Sequence, residues 1–473
     1  MTTKAAGRDA RLPLGLALAF AATSLPLQAL GIAVAVHLPA YFAATIGVEL
    51  AVVAAAFGTV RLIDVPIEPA LSIAMDRSRS RFGRYRVWMI AGTPLLMVGL
   101  YMLLVSGPGV GVGYLMAWLL VMYLGSSILM LAHQAWASTL ARTYDDRARI
   151  FGVMTAVGVA GAVIVLLIPI VMERMGYAEA QGVRAMVWYL IALAPLAVAI
   201  VIWRTPETIM AEARGQRFRW RDYLELVTDP NMARILLADL ALSLGPGWMA
   251  ALYIFYSRDY MGFTSGQANI LLAVYILSGV AGAPVLAWLA TKLSKHRTVM
   301  LCAVAYAVLL AGLAVLPKGN FAASLPTLFF AGFFAAGFNV LTRAMTADVA
   351  DEMRLRQGKE RSGLLYAMTT LTTKIAAGGS IFLTFNVLAQ VGYDPKLGQA
   401  NTPEALQALL LCFLAGPILF VSLGAACLIG YRLTAARAAE VRRQLDTRDL
   451  PNDPAGALEG LTGEEPLAPG GAR

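Results

Sequence analysis

The chain has 473 residues, 59% of them hydrophobic and only 14% charged, with a formal net charge of +9. A soluble domain is about 45–50% apolar and about 25% charged, so a mean hydropathy of +0.67 means that much of the surface must face lipid. That excludes a secreted disulfide scaffold, a disordered hub and an ordinary water-soluble enzyme.

A membrane-crossing helix needs about 17–25 mainly apolar residues. In chain order such runs fall at 13–37, 48–72, 87–106, 113–139, 150–172, 185–203, 234–256, 267–291, 298–316, 324–347, 363–390 and 406–431. They predict an all-α integral membrane protein of twelve transmembrane helices in two six-helix halves. Residues 1–12 form a cytoplasmic N-terminal segment and 13–203 the first half. Residues 204–233 form a charged linker, 234–432 the second half and 433–473 a tail. The first run is too long for the apolar core of a signal peptide and reads as a retained helix. The tail starts with helix-forming AARAAEVRRQL and then turns rich in Pro, Gly and acid, the composition of disorder. Cys302, Cys412 and Cys427 lie in apolar runs without metal-ligand spacing and read as small buried hydrophobes.

Lys and Arg alternate loop by loop. One side collects Arg77, Arg79, Arg81, Arg84 and Arg86, then Arg142, Arg147 and Arg149, the linker arginines, Lys292, Lys295 and Arg297, and Arg354, Arg356, Lys359 and Arg361. The other side holds Arg174, Arg184, Arg258, Lys318 and Lys396. The positive-inside rule then puts both termini in the cytoplasm, in a bacterial inner membrane. Basic loops also account for the charge without a nucleic-acid partner.

The halves share a weak repeat. Pro69, Leu71 and Arg77 align with Pro284, Leu286 and Lys292, and Asp146-Arg147 aligns with Glu360-Arg361. Parallel repeats are a transporter feature. No Ser/His/Asp grouping, HExxH motif or suitably placed Cys nucleophile suggests an enzyme.

Within the spans stand three cations, Arg61, Arg343 and Lys374, and the acids Asp64, Glu68, Asp239 and Asp348. Ionisable residues at such depth usually face a cavity and a partner. Arg61, Asp64 and Glu68, at i, i+3 and i+7, fall within about 60° on one helical stripe. Two carboxylates on one buried face resist double ionisation, as a cation-coupling site requires; a permanent ion-pair network is the alternative. The repeat places Gly279 and Ala283 opposite the acids and Ala160 opposite Lys374, so the pair is not shared scaffold. The acids are expected to face Lys374 across a central cavity. Gln28 and Thr373 are candidate cavity residues. Trp136 is suited to stacking a sugar ring or to core packing, and His133 to a proton relay or a structural role. His37 and Tyr41 read as interfacial. Gly245-Pro246-Gly247 marks either a discontinuous helix or a plain kink, and Asp239 either a pocket or an entrance residue.

Arg61-Leu-Ile-Asp64-Val-Pro-Ile-Glu68-Pro69, the loop from Asp76 to Arg86, Asp348-Val-Ala-Asp351, Glu360-Arg361 and Lys374 with Gly378-Gly379-Ser380 together resemble the glycoside–pentoside–hexuronide:cation symporter family of the major facilitator superfamily. The resemblance implies a monomeric secondary transporter of a glycoside, driven by a coupling cation and using no cofactor or bound metal. It assigns cation coupling to Asp64, Glu68, Arg61 and Lys374 and matches Trp136 on the sugar-binding face; with the polar residues read from the spans, the candidate substrate-binding set is Gln28, His133, Trp136, Thr373 and Lys374. Gating falls to Asp76, Arg77, Arg84, Asp351, Glu360 and Arg361. Ile67 and Leu129 stand where sodium-using members carry an amide and a hydroxyl, which favours H+ over Na+. Gln28 and Ala132 replace the acids that hold galactosides, which leaves another glycoside, or an amphiphile such as a lysolipid on the same scaffold.

Overall fold

A computed structural model describes residues 12–78, 80–141, 143–207, 227–357, 362–431 and 433–449, apart from the side chains of Asp76, Tyr144, Gln357, Ser362, Asp446, Arg448 and Asp449. Twelve of its helices are long and apolar enough to cross a membrane. They run Ser24–Ile46, Leu50–Met75, Tyr85–Leu104, Val112–Leu140, Asp145–Arg174 and Glu179–Arg204, then Pro230–Tyr260, Ser265–Leu293, Lys295–Leu313, Phe321–Arg356, Leu364–Gln390 and Pro403–Cys427. These are spans one to twelve. A short helix, Leu14–Ala21, leads into span one, and a tail helix, Ala435–Asp449, follows span twelve.

Two expectations change. Span one was expected to end at 37 with His37 and Tyr41 at an interface. It continues to Ile46 through wider π-type turns at Ala33–His37 and Tyr41–Ile46 that flank Pro39. Both polar side chains are buried in protein, and the Tyr41 hydroxyl accepts from Arg184 at 3.1 Å. Gly245-Pro246-Gly247 does not break span seven, whose helix is continuous over Pro230–Phe255. The glycines serve packing instead: a Cβ on Gly245 would stand 2.7 Å from Val421, and one on Gly247 2.9 Å from the Ser380 hydroxyl.

Close helix contact at small residues, the usual device where lipid gives no hydrophobic drive between helices, recurs through both halves. A Cβ on Gly125 would come within 2.4 Å of the Leu96 backbone, and one on Gly332 within 2.0 Å of the Tyr275 carbonyl. The halves meet along span two against span eleven, span five against span eight, and span seven against the far end of span one.

The arginine-poor end is latched between halves. Glu173 accepts the Gly266 N–H, Glu179 lies 3.5 Å from Arg258, and the Lys396 side chain covers Gly47. Arg258 is also paired with Asp259, which accepts the Tyr393 hydroxyl. Burial, then the Asp259 carboxylate, pushes the Tyr393 hydroxyl far above its usual range, so it remains a donor. At the arginine-rich end the pairs Lys295–Asp348, Arg356–Asp229 and Arg442–Asp351 lie within the second half, the end of the linker that leads into it and the tail, and none of them joins the two halves.

Candidate functional site

Span two carries Pro66 and Pro69 inside a continuous helix. Neither ring can donate to the carbonyl four residues back, which weakens the ladder around Asp64 and Glu68. Span eleven crosses here. A Cβ on Gly378 would lie 2.5 Å from the Arg61 Cβ, and one on Gly58 2.8 Å from Phe382, so both glycines are needed for this approach. One turn before Gly378, Lys374 reaches across. Its ammonium lies 3.1 Å from Asp64 Oδ2 and contacts Glu68 Oε1. Arg61 approaches Asp64 Oδ2 at 3.5 Å and stacks over Tyr123, 4.2 Å from the ring centroid. Ser127 Oγ donates to Asp64 Oδ1 at 3.0 Å.

The result is a buried cluster with two positive and two negative groups. Asp64 is almost fully enclosed and Lys374 and Glu68 largely so. Tyr123 and Ser127 were not legible in the sequence as partners. The only prior signal was polarity on a helix facing span two.

Above the cluster lies a cavity of about 570 Å³ lined by Gln28, Arg61, Gln134, Arg343, Thr373 and Lys374 among others. Its residues come from spans one, two, four, five, ten and eleven. Gln134 and Phe151 also line a smaller cavity of about 300 Å³ with Ser72, Met75 and Tyr85, which extends the space toward the arginine-rich end.

The expected substrate residues separate into two groups. Gln28, Thr373 and Lys374 line the cavity. Trp136 does not: it is fully buried, edge-on to Phe20 and beneath the Arg86 guanidinium. His133 borders the cavity but is held in place, stacked on Phe20 with its Nε2–H donating to the Phe20 carbonyl at 2.8 Å. This geometry is that of a structural histidine. Asp239 lies beside the cavity with both oxygens occupied, Oδ1 by Thr342 at 3.0 Å, and Oδ2 by Thr372 at 2.6 Å and Thr373 at 3.3 Å.

Of the gating candidates, Glu360, Arg361 and the Asp76 side chain lie outside the described residues. Arg77 is exposed. Asp351 pairs with Arg442 of the tail helix at 3.6 Å rather than across the halves. Arg84 gives its backbone N–H to Glu207, which also accepts the Tyr85 N–H, each at 2.6 Å. Glu207 thus caps span three from the linker, a role that sequence spacing did not reveal.

A buried, balanced ion cluster between two six-helix halves, below a polar cavity closed at one end, defines a secondary transporter. A family model described as "MFS/sugar transport protein" matches residues 19–435, and the chain belongs to that family of the major facilitator superfamily. Its relatives carry transport functions, not enzymatic ones. The chain is 22% identical over 419 residues to an isoprimeverose transporter of Lactiplantibacillus pentosus, covering 85% of each chain. It is 22% identical over 436 residues to the uncharacterized symporter YnaJ of Bacillus subtilis strain 168, covering 88% of this chain and 91% of that one. Among solved structures, the nucleoside transporter NupG matches with a TM-score of 0.67 at 15% identity, over 89% of this chain and 100% of that one. A bacterial homologue of the human lysosomal transporter Spinster, inward-facing and unoccupied, matches with a TM-score of 0.64 at 11% identity, over 93% and 98%. These structural likenesses carry the fold.

Proposed function

We propose that the chain is a proton-coupled symporter of a glycoside, working by alternating access in a bacterial inner membrane with both termini in the cytoplasm. The observation that carries this reading is Lys374, on the second half, engaging Asp64 and Glu68 on the first. The cluster already balances two carboxylates with two cations, so it has no spare negative charge to hold a sodium ion. A proton needs no cage of oxygen ligands. It binds one carboxylate, frees Lys374 from that contact and so changes the tie between the halves. The state described is inward-facing, because the latches stand at the arginine-poor end and the cavity extends toward the arginine-rich one.

The cavity offers Gln28, Gln134, Ser126 and Thr155 as neutral hydrogen-bonding groups, which suits a hydroxyl-rich solute better than an acyl chain. Thr373 and Gln28 bind it, and Lys374 senses both solute and proton. The charges at the arginine-rich end, Arg77, Arg84 and Asp351 with Asp76, Glu360 and Arg361, close the cavity in the opposite state. The test is uptake in proteoliposomes across a glycoside panel with an imposed pH gradient, with and without sodium. Uptake that acidifies the lumen without sodium supports the reading. Uptake that requires sodium and moves no protons refutes proton coupling.

A further inference from the structure

Asp239, on span seven, is almost fully buried and stands outside the ion cluster. Its carboxylate accepts from hydroxyls on two other helices of the second half. Thr342 on span ten donates to Oδ1 at 3.0 Å, and Thr372 and Thr373 on span eleven reach Oδ2 at 2.6 and 3.3 Å. Each threonine also has a second acceptor, a carbonyl of its own helix one turn back. That carbonyl is Phe338 for Thr342 at 2.7 Å, and Thr369 for Thr372 and Thr373 at 2.8 and 3.0 Å. The hydroxyls would therefore be satisfied without the carboxylate. What Asp239 adds is a tie between three helices at one level.

Thr372 and Thr373 immediately precede Lys374. At about 100° per residue, the bisector of the two threonines lies about 150° round span eleven from the lysine. Span eleven is thus held on opposite faces at a single level. Asp239 holds one face to spans seven and ten, and Lys374 ties the other to Asp64 and Glu68 of span two. The packing divides in the same way: Gly379 meets Leu244 of span seven, whereas Gly378 meets Arg61 of span two. We infer that Asp239 is a positioning residue for Lys374. It fixes span eleven to the body of the second half, so that the grip of the lysine on span two is a grip between halves and not on a single helix. The inference rests on the symporter reading of the cluster. Without the tie, neutralising a carboxylate of span two would let span eleven shift alone, and protons would move without the halves. A hydrogen bond to a charged group corresponds to roughly 10- to 100-fold in an equilibrium, enough to decide whether the helix or the half moves.

The experiment removes one hydroxyl donor from Asp239 at a time, by the same near-isosteric change on different helices. Thr372→Val releases span eleven and Thr342→Val releases span ten, and neither threonine lines the cavity. Reconstituted wild type and variants are compared in three measurements: accumulation of labelled methyl glucoside, galactoside and xyloside under a pH gradient, exchange of the same solutes at equal pH, and thermal unfolding in detergent. A gradient of about one pH unit supports about tenfold accumulation per proton, and wild type is expected to approach that ratio. Thr372→Val should fall to about twofold or less with exchange within about twofold of wild type, while Thr342→Val should keep at least about half of wild-type accumulation. Thr372→Ser, which retains the hydroxyl, should restore coupling, and Thr372→Ala makes the same comparison where the valine variant does not fold. Wild-type accumulation by Thr372→Val or Thr372→Ala, a parallel loss of exchange, or an equal or greater loss in Thr342→Val overturns the assignment and leaves the symporter reading standing. A wild type that accumulates none of the solutes under the gradient removes that reading, and the assignment with it.

Discussion

Replacing Asp64 by Asn tests the cluster with almost no change in volume. Asp64 receives Ser127 at 3.0 Å, Lys374 at 3.1 Å and Arg61 at 3.5 Å. At 3.1 Å and an effective dielectric of about 20, its attraction to the ammonium is roughly 5 kcal/mol, much of it offset by the desolvation of both groups. The net loss is closer to that of one charged hydrogen bond, about 1.5–3 kcal/mol, and Lys374 keeps Glu68. The variant should therefore fold, with its cluster fixed at one excess positive charge, as if permanently protonated at that site. One pH unit is worth about 1.4 kcal/mol, so one proton per solute supports about tenfold accumulation. Wild-type proteoliposomes are expected to approach that ratio. Asp64→Asn should only equalise inside and outside concentrations, while still exchanging labelled for unlabelled solute. Accumulation by the variant at the wild-type ratio refutes the assignment of Asp64 to coupling.

Glu207→Ala removes the acceptor of the Arg84 and Tyr85 N–H groups, and should lower stability by about 1–2 kcal/mol in detergent unfolding; an unchanged midpoint argues against the cap. Glu173→Ala, which frees the Gly266 N–H, should speed labelling of a cysteine placed at Thr264 in a background without the three native cysteines by about fivefold or more, and unaltered labelling speaks against a latch there. Arg442→Ala breaks a pair whose arginine is 71% exposed, so transport and stability should change by less than about 1 kcal/mol; a severe loss would give the tail helix a larger role. Gly378→Ala places a methyl 2.5 Å from the Arg61 Cβ and should cost about 1–3 kcal/mol, with uptake falling even where the protein is expressed and folded.

The spans and the acid stripe were legible because both follow from helical period and the cost of charge in lipid. Asp64, Glu68 and Arg61 are close in sequence, so their shared face needs no tertiary information. The reach of Lys374 was inferable from the repeat, in which neither the acids nor the lysine has a charged counterpart in the other half. Ser127, Tyr123 and Glu207 were not, since each partner comes from another helix or from the linker. Trp136 and His133 show a different limit. An aromatic and an imidazole three residues apart share a face whether that face meets a cavity or a neighbour such as Phe20. Gly245-Pro246-Gly247 looked like an interruption because its composition disfavours helix in water. Within a bundle Gly245 allows span twelve and Gly247 allows span eleven to pack close, and the helix continues.

The asymmetry between the halves links the cluster to motion. Were the acids and the lysine on one half, their protonation would alter a local network and leave the interface unchanged. Instead the acids ride on span two and the ammonium on span eleven, and Gly378 sets the distance between those helices one turn from the contact. Any event that neutralises a carboxylate acts on the seam about which the halves rock. Thr373 and Lys374 line the cavity from the second half, and Gln28 and Gln134 from the first. On the proposed reading, proton and solute therefore act on the same pair of bodies, and Lys374 is common to both. Neither needs to touch the other for coupling to follow, because each changes the free energy of bringing the halves together.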